Sequence, residues 1–472
     1  MINKKVSHFI GNIFSSMTVN ASRIIITFLL TLILPRFLGE VDYSYWQLYL
    51  FYFTYLAYTS LGWCEGTYLK YGGKEYDELP AKKMAGQFWT LAIYELIVNI
   101  LFSAVVLVFV KDDIKVQLLT LAALSAFLDI LRYYIQMVLQ ATNKIREYAK
   151  IAASERLLFF AFSLLFLLLH KWEFVYFIYA ELLARALSLL LALRTGRGLL
   201  FIRPDSIRGI VTESRELIGC GYKLLVAGVA GQLIVGFVRF SIENCWGNLV
   251  FGKVSLALSM VNMIITFIAA VSVVIFPMLK RMPQDKMLKM YGMLRELLST
   301  FLLCVLLFYV PMKMVLQIWL PQYEESFRYL AVLLPICIFE TRYMVLLGTY
   351  FKALRKEQLQ LKGNLLSVLL SVVLTLAVVY GIGSLKLAII LIVILLAFKA
   401  HFAEYMLKKY VEYNALKDTV WETVLIVGFM LTNWFLDGLL AIGIYTVMLL
   451  GYLVFRRKKI KKCLLDMRRM IQ

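Results

Sequence analysis

The sequence predicts an all-α, polytopic membrane protein of about fourteen transmembrane helices. Three observations predict it. Of the 472 residues, 61% are hydrophobic and only 17% charged, and the mean hydropathy is +0.78, whereas soluble domains carry about 25% charged residues. The apolar runs are close to the length of about 20 residues that crosses a bilayer as a helix. They lack the alternating polarity of barrel strands, and backbone in lipid is satisfied only in helices or closed barrels. The third observation is a one-sided distribution of lysine and arginine.

In chain order the spans fall over 11–35, 44–69, 86–110, 116–140, 151–169, 174–193, 218–242, 254–279, 294–316, 327–351, 363–383, 387–407, 419–436 and 439–455. Segments on the N-terminal side of this map hold 33 of the 50 Lys and Arg, the opposite loops hold 6, and the spans the remaining 11. Short cytoplasmic loops carry the positive excess. Both termini are therefore expected in the cytoplasm of a bacterial inner membrane. Lys4 and Lys5 precede the first run without a clear small-residue cleavage site, so that run is expected to be retained.

The basic segment from Arg194 to Leu217 divides the chain. It predicts an N-terminal six-helix lobe over 1–208, a C-terminal lobe over 209–412, and an extra helix pair with a basic tail over 413–472. The two lobes are expected to be pseudo-symmetric, as in transporters built from repeats. RFLGEVDYSYWQLYLF after the first span echoes IENCWGNLVFGKVSLA after the seventh, aligning Gly39 with Gly247 and Tyr43 with Phe251.

Composition also excludes functions. The formal charge of +20 belongs to no soluble module with a basic, groove-reading face, so nucleic acid is not an expected partner. Cys64, Cys220, Cys245, Cys304, Cys337 and Cys463 form no CxxC pair, which indicates neither a zinc site nor a disulfide framework. No cofactor is expected. No GxxxxGK[ST] phosphate loop is present, so a primary pump is disfavoured.

LPRFLGEVDYSYWQLYLFY followed by LGWCEGTYLKYGGKEYDEL, and VRFSIENCWGNLVFGKVSLALSM in the second half, resemble the polysaccharide biosynthesis or oligosaccharide flippase family. That family belongs to the multidrug, oligosaccharidyl-lipid and polysaccharide exporter superfamily. The resemblance implies two six-helix lobes around a central cavity. It also implies an undecaprenyl-diphosphate-linked oligosaccharide as substrate, with membrane lipids and glycan-assembly proteins as further partners.

A mid-membrane arginine costs roughly 2.5–3.5 kcal/mol on insertion scales and marks a functional position by default. Arg23 lies about 18 Å along the first helix, on a stripe with Asn12, Ser16, Asn20, Thr27 and Thr31. It is expected either to meet a diphosphate in a watered cavity, where a guanidinium binds oxygens in pairs, or to pin two helices. Gly221, Gly228, Gln232, Gly236, Arg239 and Glu243 form a similar face on the seventh helix, open to substrate approach or to tight packing. Arg342 and Lys399 lack an in-helix partner and join Arg23 and Arg239 as expected diphosphate contacts. Glu95 and Glu340 also lack one and are candidates for ion coupling.

Asp129 with Arg132 and Glu181 with Arg185 are spaced to pair within their helices. Tyr49 and Tyr52 share a face of the second helix, suited to sugar stacking or to aromatic packing. The cavity lining is thus expected from Asn20, Thr27, Gln232, Tyr49 and Tyr52.

Three functions compete. A lipid-linked oligosaccharide flippase fits the resemblance and the cationic spans. An ion-coupled multidrug antiporter of the same superfamily shares the fold, which does not separate the two. A membrane-embedded glycan polymerase would need a catalytic group outside the bilayer. His8, His170 and His401 are far apart and no large outer loop is available.

Overall fold

The computed structural model describes the backbone of residues 2–411, 413, 416–436 and 438–471. It describes the side chains of 25–466 except 269–281, 284, 357, 412, 414–417 and 437. The protein is all-helical, with no strand among the described residues. Among the described residues nine helices are long and apolar enough to cross a membrane. A bent pair, Pro321–Leu333 with Ile336–Ala353 at 50°, makes ten among the described residues. The predicted spans fall largely on helix, with 44–69 and 327–351 each broken within, and the long α-helices Ile2–Leu56 and Ile207–Arg281 each extend over more than one span.

The chain divides into two units, 1–229 and 230–472. The first contains α1 (Ile2–Leu56), α2 (Trp63–Tyr71), α3 (Ala81–Phe109), α4 (Asp113–Ala141), α5 (Ile145–Leu168), α6 (Phe174–Thr195), the short α7 (Arg197–Leu200) and the start of α8 (Ile207–Arg281). The rest of α8 opens the second unit. It is followed by α9 (Gln284–Val305), α10 (Tyr309–Trp319), α11 (Glu324–Leu333), α12 (Ile336–Thr341), α13 (Gly348–Ala353), α14 (Glu357–Thr375), α15 (Leu385–Val411), α16 (Leu416–Phe435) and α17 (Gly438–Ile471).

Sequence explains the ends and breaks. Asp112 caps α4, its carboxylate accepting from the amides of Ile114 at 3.0 Å and Lys115 at 3.2 Å, two donors that the first turn leaves orphaned. α1 is broken at Gly39 (φ 73°, ψ 175°) and α8 at Gly247 (φ 82°, ψ 173°). That conformation is essentially reserved for glycine. The two glycines aligned by the sequence echo thus adopt the same backbone shape. Tyr43 and Phe251, four residues beyond each, are both buried.

A third break departs from expectation. The predicted span 44–69 is interrupted over 57–62, where Leu61 (φ 54°) and Gly62 (φ 86°) are both left-handed. α2 restarts there because it crosses the first part of α8 at backbone contact. A Cβ on Gly66 would lie 1.9 Å from the Leu217 carbonyl, and one on Gly221 would lie 1.9 Å from that of Gly62. Gly221 therefore serves helix packing, the usual purpose of small residues in lipid.

α3 shows how each helix is sided. Met84, Phe88, Leu91, Glu95 and Asn99 face inward and are buried, while Ile93, Ile97, Ile100 and Leu101 are more than half exposed. Their outward face is suited to lipid tails, which are as apolar as the side chains.

Candidate functional site

The ionisable groups of the spans gather in separate places within the two units. In the first unit Arg132 pairs with Asp129 on α4 and Arg185 with Glu181 on α6, at the spacings the sequence sets. Glu155 of α5 joins them, 2.7 Å from Arg132 and 3.8 Å from Arg185. Phe53 of α1 covers the Arg185 guanidinium at 3.7 Å. Four helices thus converge on two arginines and three carboxylates. Tyr49 is fully buried, donating to or accepting from Ser125 at 2.6 Å and stacked on Trp46 at 5.4 Å. Tyr52 is half-buried and meets Phe51 edge-on at 5.4 Å.

Glu95 is different. Its side chain is fully buried, with one oxygen 2.9 Å from the Thr59 hydroxyl and 3.4 Å from the Asn99 amide. Its other oxygen has no partner.

In the second unit Arg342 is completely buried. It pairs with Glu422 at 2.7 Å and meets Nδ1 of His401 at 3.2 Å. It opens a wide π-type turn over Arg342–Leu347, a distortion common at functional positions. Lys399 pairs with Glu340 at 2.8 Å and lies 4.1 Å from the Tyr343 ring centre. The four groups without in-helix partners are thus resolved unequally: three find partners on neighbouring helices, and Glu95 finds no cation.

Sequence reasoning missed the hub beside Arg342. Arg295 of α9 reaches Glu404 of α15 at 2.6 Å and Glu422 of α16 at 2.7 Å. Arg456 of α17 reaches Glu296 at 2.6 Å and Asp418 at 2.5 Å, and Lys459 adds contacts of 2.9 Å to both. Each of these charges lies near a predicted span end, where a single side chain can snorkel. Only their convergence across four helices reveals the network. With Arg342, which shares Glu422, four cations face four carboxylates, so the formal charges cancel, and removing one partner leaves a buried charge uncompensated.

Arg239 donates to the Ser255 hydroxyl at 2.8 Å and lies over the Phe251 ring at 4.9 Å, next to the Gly247 break. Gln232 and Thr27 are exposed. The side chains of Arg23 and Asn20 lie outside the described residues. Arg342 and Lys399 both make contacts at α15, whereas Arg239 meets Ser255 and Phe251 of its own helix α8. Among the described residues no cluster of His, Cys, Asp and Glu is placed to hold a metal ion.

No protein-family model matches the sequence, and no curated protein does. Solved structures do match the fold. The chain is similar to lipid II flippase MurJ in an inward closed conformation, with TM-score 0.66 and 12% identity over 96% of this chain and 100% of that one. It is similar to an inward-facing multidrug resistance MATE transporter of the MOP superfamily, with TM-score 0.60 and 14% identity over 87% and 98%. A MOP superfamily transporter from Pyrococcus furiosus, described as having a binding pocket of reverse polarity, matches with TM-score 0.53 and 13% identity over 85% and 94%. The chain therefore has the fold shared by MATE transporters and MurJ.

Proposed function

We infer that this protein is a flippase that moves an undecaprenyl-diphosphate-linked oligosaccharide from the cytoplasmic to the outer leaflet by alternating access, for surface polysaccharide assembly. The observation that carries this reading is the likeness to a lipid II flippase over 96% of the chain. The MATE transporter is matched over 87%. The positive-inside distribution supports a bacterial inner-membrane location with both termini in the cytoplasm. Arg23 and Arg239 supply the fixed cations for the diphosphate. Arg342 and Lys399, engaged by Glu422 and Glu340, brace the second unit. With no phosphate-binding loop in the sequence, an ion gradient drives the cycle, and Glu95 is its coupling group.

The test is reconstitution with a lipid-diphosphate oligosaccharide and measurement of its transfer between leaflets. Arg23→Ala is expected to abolish transfer with abundance nearly normal, since it removes a midplane charge that opposes insertion and the counter-charge of the phosphate. Arg23→Lys keeps the charge, loses the planar fork and retains part of the rate. Transfer at the wild-type rate by Arg23→Ala would remove that site. The MATE likeness favours a second reading, a drug antiporter; ion-driven movement of cationic dyes without lipid transfer would establish it instead.

A further inference from the structure

Glu95 lies at the midpoint of α3, a helix of 29 residues, and so about 21 Å from either end at 1.5 Å per residue. A charged side chain at that depth is costly unless paired. Among the described residues no Lys, Arg or His pairs with it. The titratable groups that face it are Cys64 of α2 and Tyr94 of its own helix, a thiol and a phenol that are ordinarily neutral. No cation among the described residues offsets a negative charge here.

The donors around it are few and one-sided: the Asn99 amide reaches only Oε2, at 3.4 Å, and the Thr59 hydroxyl has one proton for two acceptors. The Thr59 hydroxyl lies 2.9 Å from Glu95 Oε2 and also 2.9 Å from the Leu56 carbonyl. A hydroxyl has one proton to donate and lone pairs to accept with. If Thr59 gives its proton to Leu56, the oxygen–oxygen contact with Glu95 needs a proton from Glu95. Oε1, buried and without a partner, is tolerable as the carbonyl oxygen of a neutral acid and expensive as half of an anion.

Thr59 belongs to the break that interrupts the second span. Its carbonyl accepts from the Tyr94 hydroxyl at 3.2 Å, and Leu61 and Gly62 beyond it are left-handed. Two adjacent residues of α3, Tyr94 and Glu95, therefore hold one residue of the break, three positions beyond the end of α1.

We propose that Glu95 is a proton-binding site and that its proton sets the hydrogen bonding of the helix break over 57–62. This deepens the ion-coupled reading above and rests on it only for the use to which the proton is put. In the protonated state Glu95 donates to Thr59 and Thr59 donates to Leu56, closing a chain that holds the break as observed. When the proton leaves to water, the Thr59 hydroxyl turns to the carboxylate. The Leu56 carbonyl loses that donor, and the bare carboxylate draws further donors toward Oε1. α3 and the break then no longer fit together as they do here. The ligand is a proton, because the observed partners can accept or give one and offer a metal ion only a single carboxylate.

The experiment uses the purified full-length chain in lipid nanodiscs without substrate. Dicyclohexylcarbodiimide modifies protonated carboxyls in apolar surroundings, and peptide mass spectrometry reads its incorporation at Glu95. Labelling is expected at neutral pH, falling several-fold as the pH is raised. The infrared spectrum at neutral pH should contain a protonated-carboxyl band that Glu95→Gln removes and Thr59→Val shifts without removing. Amide hydrogen exchange over 57–62, corrected for its intrinsic pH dependence, should speed several-fold at alkaline pH in the wild type. In Glu95→Gln, whose amide mimics the neutral acid, it should stay slow. No band lost in Glu95→Gln, or labelling indifferent to pH, overturns the proton site. An equal change of exchange in wild type and Glu95→Gln overturns its link to the break. Should Glu95→Gln fail to fold, Thr59→Val carries the infrared test alone, and an unshifted band refutes the contact. None of the three readouts involves lipid transfer. Failure here leaves the flippase reading standing, and loss of that reading leaves the proton site.

Discussion

Lys399, which is buried, and Glu340, which is partly buried, form a pair in the second unit, 2.8 Å apart. Breaking a buried pair costs about 3–5 kcal/mol, while replacing both partners with apolar groups of similar volume is often neutral. Lys399→Met and Glu340→Met should therefore each lower the thermal midpoint in detergent, and the double variant should recover most of the loss. Additive losses would show that the two side chains do not depend on each other. Asp418, just ahead of the predicted span 419–436, is governed by competing effects. Burial pushes its carboxyl up, but hydrogen bonds from Tyr413, Lys459 and Arg456 outweigh it and hold the group at about 2. A depressed folded value contributes stability that is present above the unfolded value near 3.8 and lost as pH falls through the folded one. Thermal scans should show a drop between about pH 4 and pH 2 that is smaller in Asp418→Asn. A profile unchanged by that substitution would place the acid sensitivity elsewhere.

Among the elements, the helix breaks have the clearest physical causes. Gly66 and Gly73 offer a matched comparison. A Cβ at Gly66 collides with the Leu217 carbonyl, whereas one at Gly73 meets nothing within 4 Å and suffers only from a φ of +90°. Gly66→Ala should part α2 from α8 and lower the thermal midpoint sharply. Gly73→Ala should cost no more than the roughly 1–3 kcal/mol of local backbone strain. Equal losses would mean that the α2–α8 crossing contributes little. The crossing is reinforced by Glu213 of α8, which Lys70 reaches at 2.6 Å and Lys83 at 3.1 Å. The glycine pattern marked small residues on the seventh helix. Which neighbour they admit depends on a helix more than a hundred residues away in sequence.

At the scale of the whole molecule, the 33 to 6 asymmetry of Lys and Arg predicts which face is cytoplasmic. Single cysteines placed in 194–217 should be shielded from an impermeant thiol reagent in intact cells, and those in 317–326 should label. The opposite pattern would invert the topology. The last two helices are bound to the second unit by charge as well as by packing. Glu422 of α16 meets Arg295 and Arg342, and Arg456 of α17 meets Glu296. Their spans look almost uncharged in sequence because the charges sit near the ends.

The sequence by itself determined the fold class, the order of the spans and the paired glycines at 39 and 247. These follow from local chemistry: apolar runs of membrane length fold as helix, and a break with positive φ and extended ψ, as at Gly39 and Gly247, needs glycine. It also determined the pairs Asp129–Arg132 and Glu181–Arg185, since partners within one helix are set by its period. Only the tertiary structure decided which charges meet across helices. Arg342 with Glu422, Arg295 with Glu404, and Glu95 with Thr59 in place of any cation are separated by 80, 109 and 36 residues. A hydrophobic pattern says which face of a helix turns inward. It carries no information on which neighbour waits there, because that depends on the packing of all the helices together.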